Sequence, residues 1–396
     1  MQKRSPSKRL MILLLASALA GQFPCLSHGQ SYREWWGLRG CQPCRRCPPA
    51  HECVPGRSLF WNDPCCEYDD SCVDTCRHRA KNPRWYGSIE AYKLFRDISD
   101  ELPFAALGPA GPIVLSTSDF DAEFESSAKT TLGMFLEPWY RVEVTYAGSQ
   151  DWNDSVAVRN LDDNGQGSLG NLMSPFSNFG NPAPIAGVDF NDFASISFSS
   201  SLSSVELNLR RLICLPPRRH GQAEASFLVG LRYMGISEDF DYRTVSTVGA
   251  GSINDVNVST DNDMFGVQLG MMFQILVHPR GWIDVDTRGV MYHNNVNLRS
   301  AYANTDGIGT PITSFTGIDD QTRTSFMGEL SLTFNYQVTP TWTFRVGYNA
   351  IGISGVALGA DNMNRDINLL SLGPPRVDHS GEVVYHGPSI GAVWAR

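Results

Sequence analysis

Few stretches of this chain have the spacing of reactive or ligating residues. Gly387-Pro-Ser-Ile-Gly391 satisfies G-x-S-x-G, the pattern of a nucleophilic serine, but that chemistry needs a strand-turn-helix elbow and the surrounding residues alternate like a strand. Asp162-x-Asn164-x-Gln166-Gly167 has the start of a calcium loop without its closing glutamate, so an Asx- and Gly-rich surface turn is expected there. His293, His379, His386 and the loop acids are what a rim hydrolase would draw on, and they are scattered. There is no phosphate loop, no H-E-x-x-H and no dinucleotide fingerprint, so the expectation is a non-enzyme with no cofactor.

The cysteines are the densest set. Cys41, Cys44, Cys47, Cys53, Cys65, Cys66, Cys72 and Cys76 crowd into one short segment, eight of the ten in the chain. Cys41-x2-Cys44-x2-Cys47 has the spacing of zinc or cluster ligands, but the second half does not repeat it and no histidine sits at a useful spacing. A disulfide framework is expected, with no metal, because so short a segment cannot bury enough core to fold unaided. Its pairing is open among 105 connectivities. Cys214 stands alone, read as a buried thiol or a tether to that segment.

A third set consists of charged residues in phase with one another. Arg141, Glu143, Glu206, Asn208, Arg210, Arg232, Asp284, Asp286, Arg288, Glu329 and Arg345 each alternate with apolar neighbours, so each points to the polar side of a strand. Against lipid such groups would cost about 2–4 kcal/mol per midplane arginine, so in a membrane barrel they line the lumen. They can form a hydrophilic path, or pair with one another and close it.

The elements that would position them are long strands. Phe326, Leu330, Leu332, Phe334, Tyr336 and Val338 alternate with polar residues, and after a turn at Pro340 the pattern resumes as Trp342, Phe344, Val346 and Tyr348. Each arm is long enough for a membrane-spanning strand of about 9–11 residues. The same plan recurs at Met264–Ile275 with Ile283–Arg288, at Thr130–Leu136 with Tyr140–Tyr146, and at Val205–Arg210 with Phe227–Tyr233. Trp85–Phe95 and Val383–Trp394 supply an opening and a closing strand, although Pro388 interrupts the latter. Longer stretches rich in Asn, Asp, Gly and Ser, about 152–192, 241–261, 299–321 and 357–381, read as loops that alternate with the short turns. That alternation predicts an all-β fold, an antiparallel transmembrane β-barrel of about ten strands, with short turns and both termini periplasmic. Tryptophans after the turn prolines, Trp139, Trp282 and Trp342, would form an interfacial girdle, with only Trp342 in phase with its apolar face.

At this point the chain resembles the outer-membrane β-barrel porin family of planctomycete-type bacteria. The resemblance is carried by Trp85 to Leu94, Tyr146-Ala-Gly-Ser-Gln-Asp-Trp152, Ser204-Val-Glu-Leu-Asn-Leu-Arg210, Gly230-Leu-Arg-Tyr-Met-Gly235 and Tyr385-His-Gly-Pro-Ser-Ile-Gly391, over about residues 84–396. It implies an outer-membrane barrel. The ending Trp394-Ala-Arg396, in place of a terminal aromatic, departs from the usual barrel-assembly signal.

The N-terminus fits export. Lys3, Arg4, Lys8 and Arg9 precede the apolar run Leu10–Ala18, the pattern of a signal peptide over 1–29 with cleavage after Ala20 or Gly29. Residues 30–82 then form a disulfide-rich periplasmic segment and 83–396 the barrel. Loss of those four cations moves the formal charge from −9 to −13, which speaks against a nucleic-acid partner. The expected partners are outer-membrane lipid, the barrel-assembly machinery and a periplasmic partner of the cysteine-rich segment. The expected location is the outer membrane of a Gram-negative-type bacterium. The leading expectation for function is a porin-like conduit for small solutes; the alternative is a closed barrel that anchors a surface or docking module.

Overall fold

The computed structural model describes residues 85–98, 101–121, 124–137, 140–160, 170–213, 222–247, 251–365 and 376–395. The signal-peptide and cysteine-rich assignments, all ten cysteines, the Asp162 turn and Trp139 lie outside them.

Ten antiparallel strands close into a barrel. In chain order they are β1 (Trp85–Ile98), β4 (Phe124–Glu137), β5 (Tyr140–Arg159), β7 (Phe193–Ile213), β8 (Gln222–Ser246), β9 (Ser252–His278), β10 (Gly281–Asp306), β11 (Pro311–Gln337), β12 (Trp342–Val356) and β13 (Gly381–Ala395). β1 pairs with both β4 and β13, which seals the ring. Three short strands, β2 (Pro103–Leu107), β3 (Ile113–Ser116) and β6 (Leu172–Met173), form a separate small sheet from the connections after β1 and β5. The all-β class and the ten-stranded closure agree with the alternation read from sequence.

Pro388 is accommodated without a register shift. Its β12 side keeps the ladder, Tyr348 opposite Pro388, whereas the β1–β13 ladder lapses between Tyr92–Ser389 and Phe95–His386, where the missing N–H would have pointed.

Two of the expected loops are mostly strand, and a third, 152–192, begins as strand, since 152–159 complete β5. Residues 241–246 complete β8 and 252–261 begin β9, while 299–306 complete β10 and 311–321 begin β11. The reason is an inversion of phase. On β9 the residues from Phe265 to Val277 point their apolar members outward, with Phe265, Val267, Leu269, Phe273, Ile275 and Val277 exposed. Above Met264 apolar residues appear at buried positions, Val256 and Val258, between the buried polar Asn254, Thr260 and Asn262, and the exposed positions turn polar, Asp261 and Asp263. β8 switches in the same way, with Phe240 and Tyr242 inside and Asp239, Asp241 and Arg243 outside. At about 3.3 Å per residue and a tilt near 40°, the lower stretch spans about 30 Å, close to the thickness of a bilayer's hydrocarbon core, and the upper stretch rises roughly another 30 Å above it. Below, the exterior is apolar, as in a barrel wall that faces lipid; above, the exterior is polar and the apolar side chains lie inside.

The wall is uneven as a result. β5 and β7–β11 have 20 to 27 residues, but β1, β4, β12 and β13 have 14 or 15. The tall strands form a palisade, and the connections from the short side fold into it as an insert. Phe104, Leu115, Leu172, Phe176 and Val188 of the insert bury against Ile196, Phe240, Tyr242, Val258, Leu298 and Tyr302 of the palisade.

Candidate functional site

The eleven polar positions singled out by alternation all project to the barrel interior, and the structure packs them into one layer in its lower half. Alternation places them there because a strand that shows apolar residues to lipid must turn the intervening ones inward. Arg141 and Glu143 come from β5, Glu206, Asn208 and Arg210 from β7, Arg232 from β8, Asp284, Asp286 and Arg288 from β10, Glu329 from β11 and Arg345 from β12.

They form a chain of ion pairs. Arg141 Nε lies 2.9 Å from Glu143, which also takes Arg210 at 3.2 Å. Arg210 reaches Asp286 at 3.3 Å, Asp286 meets Arg288 at 3.1 Å, and Arg288 meets Glu206 at 2.7 Å. Arg232 then joins Glu206 at 3.4 Å to Glu329 at 2.6 Å. Asn208 Nδ2 donates to Glu206 at 3.0 Å. Arg345 holds a neighbouring group, Glu90 at 2.6 Å and Asp284 at 3.9 Å. Asp284 also accepts from Gln274 Nε2 and Asn335 Nδ2, at 2.9 and 2.8 Å.

Two members escaped the sequence reading. Glu90 on β1 and Lys129 on β4 face each other in register, and Lys129 Nζ lies 3.9 Å from Glu329. Their phase is hidden because β1 carries apolar or aromatic residues on both faces, Trp85 and Ile89 outward and Tyr86, Tyr92 and Leu94 inward, and because the outward positions around Lys129, Ser126, Ala128 and Thr130, are small or polar. With them the lattice has six cations, Lys129, Arg141, Arg210, Arg232, Arg288 and Arg345, and six carboxylates, Glu90, Glu143, Glu206, Asp284, Asp286 and Glu329. The layer is balanced in charge. Buried charges that are paired and hydrogen-bonded are tolerable, and loss of one partner leaves the other uncompensated.

Two glycines make room for it. A Cβ at Gly133 would lie 2.1 Å from the ring of Tyr86, whose hydroxyl donates to Glu143 at 2.6 Å. A Cβ at Gly391 would lie 2.5 Å from Glu90 Cγ.

Below the lattice the floor of the lumen is Tyr86, Phe135, Trp282, Val393 and Ala395. Trp282 therefore belongs to the lumen floor and not to the expected girdle, since its position is in phase with Asp284. Above the lattice lies an apolar belt that includes Tyr92, Trp152, Met234, Met264, Tyr292, Met327 and Tyr385. Above that sits the insert, held by a few polar clasps. Tyr242 Oη donates to Phe104 O at 3.0 Å, and Gly187 O accepts from Ser252 Oγ and Asn254 Nδ2 at 3.2 and 3.0 Å. The insert's own fold turns on Asp189, which accepts from the backbone N–H of Ser174 and Ile185 at 2.8 and 2.7 Å. The strap 357–365 is tied to the wall by Asn262, which exchanges two bonds with Ala357, both 2.9 Å, and by Glu238, which accepts from Gly359 N at 3.0 Å. Glu238 is also paired with Arg96 of β1. Insert, strap and wall border a small, partly open pocket of about 20 Å³ beside Arg96 and Glu238, enough for about one water.

The other residues weighed for chemistry are not brought together. Ser389 is buried in the middle of β13 and accepts from Asn349 Nδ2 at 3.0 Å, with no elbow around it. His293 is exposed on the outside of β10, and His386, on the outside of β13, bonds Tyr348 Oη at 2.7 Å. His379 bonds Gln321 at 3.0 Å in the last connection, where burial and the Arg323 guanidinium lower its pKa. Among the described residues, no His, Cys, Asp and Glu group has metal-holding geometry.

The family described as "Putative beta barrel porin-7" matches residues 100–382. No curated protein matches the chain. Among solved structures, the Escherichia coli outer membrane protease OmpT aligns at 10% identity and a TM-score of 0.41, covering 79% of this chain and 96% of its own. A Pseudomonas aeruginosa FadL homologue aligns at 11% identity and 0.24, covering 86% and 96%. A major outer membrane protein of Thermus thermophilus aligns at 12% and 0.26, covering 79% and 99%. At such scores these likenesses carry no argument about activity.

Proposed function

The chain belongs to the family described as "Putative beta barrel porin-7", and from that premise we propose an outer-membrane barrel that is closed to solutes in its resting fold and serves as a structural or surface-anchoring protein. The observation that carries this reading is the charge-balanced lattice, whose cations and carboxylates satisfy one another across the lumen. A ten-stranded barrel lies near the size that side chains fill. In this reading the short turns and both termini face the periplasm, the palisade and insert face outward, and the barrel carries no chemistry of its own. Residues 30–82 would be a periplasmic docking module. Purified full-length protein in a planar bilayer tests the reading: no discrete conductance is expected, and stable single-channel steps from the wild-type chain would overturn it.

A second reading, a gated conduit for small solutes, is favoured by one feature. The insert and strap are held at Tyr242, Asn254, Asn262 and Glu238, a set distinct from the lattice. Opening would then take two separate events, so removal of the insert alone should not produce conductance.

A further inference from the structure

On the outside of the barrel near the short-turn rim, a groove of about 380 Å³ opens between two tryptophans. Its lining is Trp342 of β12, Ala392 and Trp394 of β13, and Gly87, Ser88 and Ile89 of β1. The register shows why it forms. One rung of the wall reads Trp342, Trp394, Gly87, Leu132, and the next outward-facing rung reads Phe344, Ala392, Ile89, Thr130. The first rung loses its side chain at Gly87 and the second is reduced to a methyl at Ala392, so Trp394 has a gap on each side. Both indoles remain substantially exposed, Trp342 at 49% and Trp394 at 38%.

We propose that this groove seats one acyl chain of a phospholipid from the leaflet at the short-turn rim, with the indole N–H groups of Trp342 and Trp394 donating to its ester or phosphate oxygens. The inference rests on the outer-membrane reading above, because the groove is continuous with the lipid-facing band. The groove is shallow and open to the surroundings, so it would hold a short stretch of one acyl chain against Ile89, Ala392 and the two indoles. Indoles at a membrane interface combine an apolar body with a polar N–H, which suits the ester level of a lipid. Since the surrounding bilayer is as apolar as the groove, retention depends on close van der Waals fit and those polar contacts.

The test uses full-length protein, purified in detergent, supplied with phosphatidylethanolamine and analysed by native mass spectrometry. Wild type should retain one phospholipid per barrel. Ala392→Leu, which fills the groove from the lipid side, should lower that occupancy at least tenfold, and Trp342→Ala, which removes one wall, should lower it as well. Heat-modifiable gel mobility of each variant reports barrel formation independently. Equal occupancy in wild type and Ala392→Leu, both heat-modifiable, overturns the lipid site and leaves the barrel reading intact. A wild-type dimer without lipid that Ala392→Leu dissociates also overturns it, in favour of a second copy. Absence of any heat-modifiable species would instead sink the membrane reading and this site with it.

Discussion

Arg345 on β12 reaches over Gly391 on β13 to Glu90 on β1, with Nη1 2.6 Å from Oε1. Gly391 is the register partner of both residues, so the pair straddles the strand that closes the barrel. Arg345→Ala leaves Glu90 and Asp284 short of their cation, and loss of one member of a buried pair costs about 3–5 kcal/mol. Lys129, opposite Glu90, keeps the effect toward the lower end. The temperature at which the heat-modifiable form disappears from a gel should fall. Gly391→Leu should do the same, because its Cβ would lie 2.4 Å from Ile89 O and 2.5 Å from Glu90 Cγ. An unchanged transition in both variants would show that the pair does not hold the seam.

Glu238 links three parts of the molecule through Arg96 of β1, Ser200 of β7 and the backbone of Gly359 in the strap. Glu238→Ala removes the acceptor of Gly359 N and leaves Arg96 buried without its carboxylate. The strap 357–365 should then be cut faster in limited proteolysis, while the lattice-bearing strands stay protected. A cleavage pattern identical to wild type would mean that Asn262 and packing alone hold the strap.

The tip of the β10–β11 hairpin should loosen in acid. The Asp306 carboxylate accepts from Thr310 N at 2.6 Å and Ile308 N at 3.1 Å, and these bonds, Thr310 first, lower its pKa. A carboxyl whose pKa is depressed in the fold gives stability that is present above its unfolded pKa and is lost as pH falls through the folded value. Amide protection factors at 306–310, corrected for intrinsic exchange, should therefore be flat above about pH 5 and drop in more acidic solution. Asp306→Asn should remove most of the pH dependence; a profile that matches wild type would assign it to other groups.

What was legible in the sequence followed the medium around each strand. In the lipid band, residues such as Phe334 and Tyr336 announce their face, and the polar partners between them could be assigned inward one by one. Glu90 is hidden because β1 is apolar on both faces, Trp85 and Ile89 outward against Tyr86, Tyr92 and Leu94 inward, and Lys129 because Ser126, Ala128 and Thr130 around it mark no stripe. The palisade is hidden for a different reason. Through Val256, Val258 and Asp261 the alternation is present but reversed, and a search for one continuous apolar face sees it fade out near Met264. The insert gave no warning, since the pairing of β2 with β3 and β6 depends on a wall contributed from far along the chain.

That reversal of phase gives a depth test. Leu269 and Asn297 both point outward, on neighbouring strands, but Leu269 lies within the apolar band and Asn297 above it, where the inward neighbours Val296 and Leu298 carry the core. An arginine on the lipid face costs about 2–4 kcal/mol at the bilayer midplane and about 0–1 near the interface. Leu269→Arg should therefore lower the yield of heat-modifiable barrel in folding into liposomes and reduce its resistance to urea by about that amount. Asn297→Arg should be indistinguishable from wild type, because its side chain meets water in both states of the comparison. Equal losses from the two substitutions would place the membrane boundary higher than Met264, and equal tolerance would place the Phe265–Val277 stretch outside the bilayer.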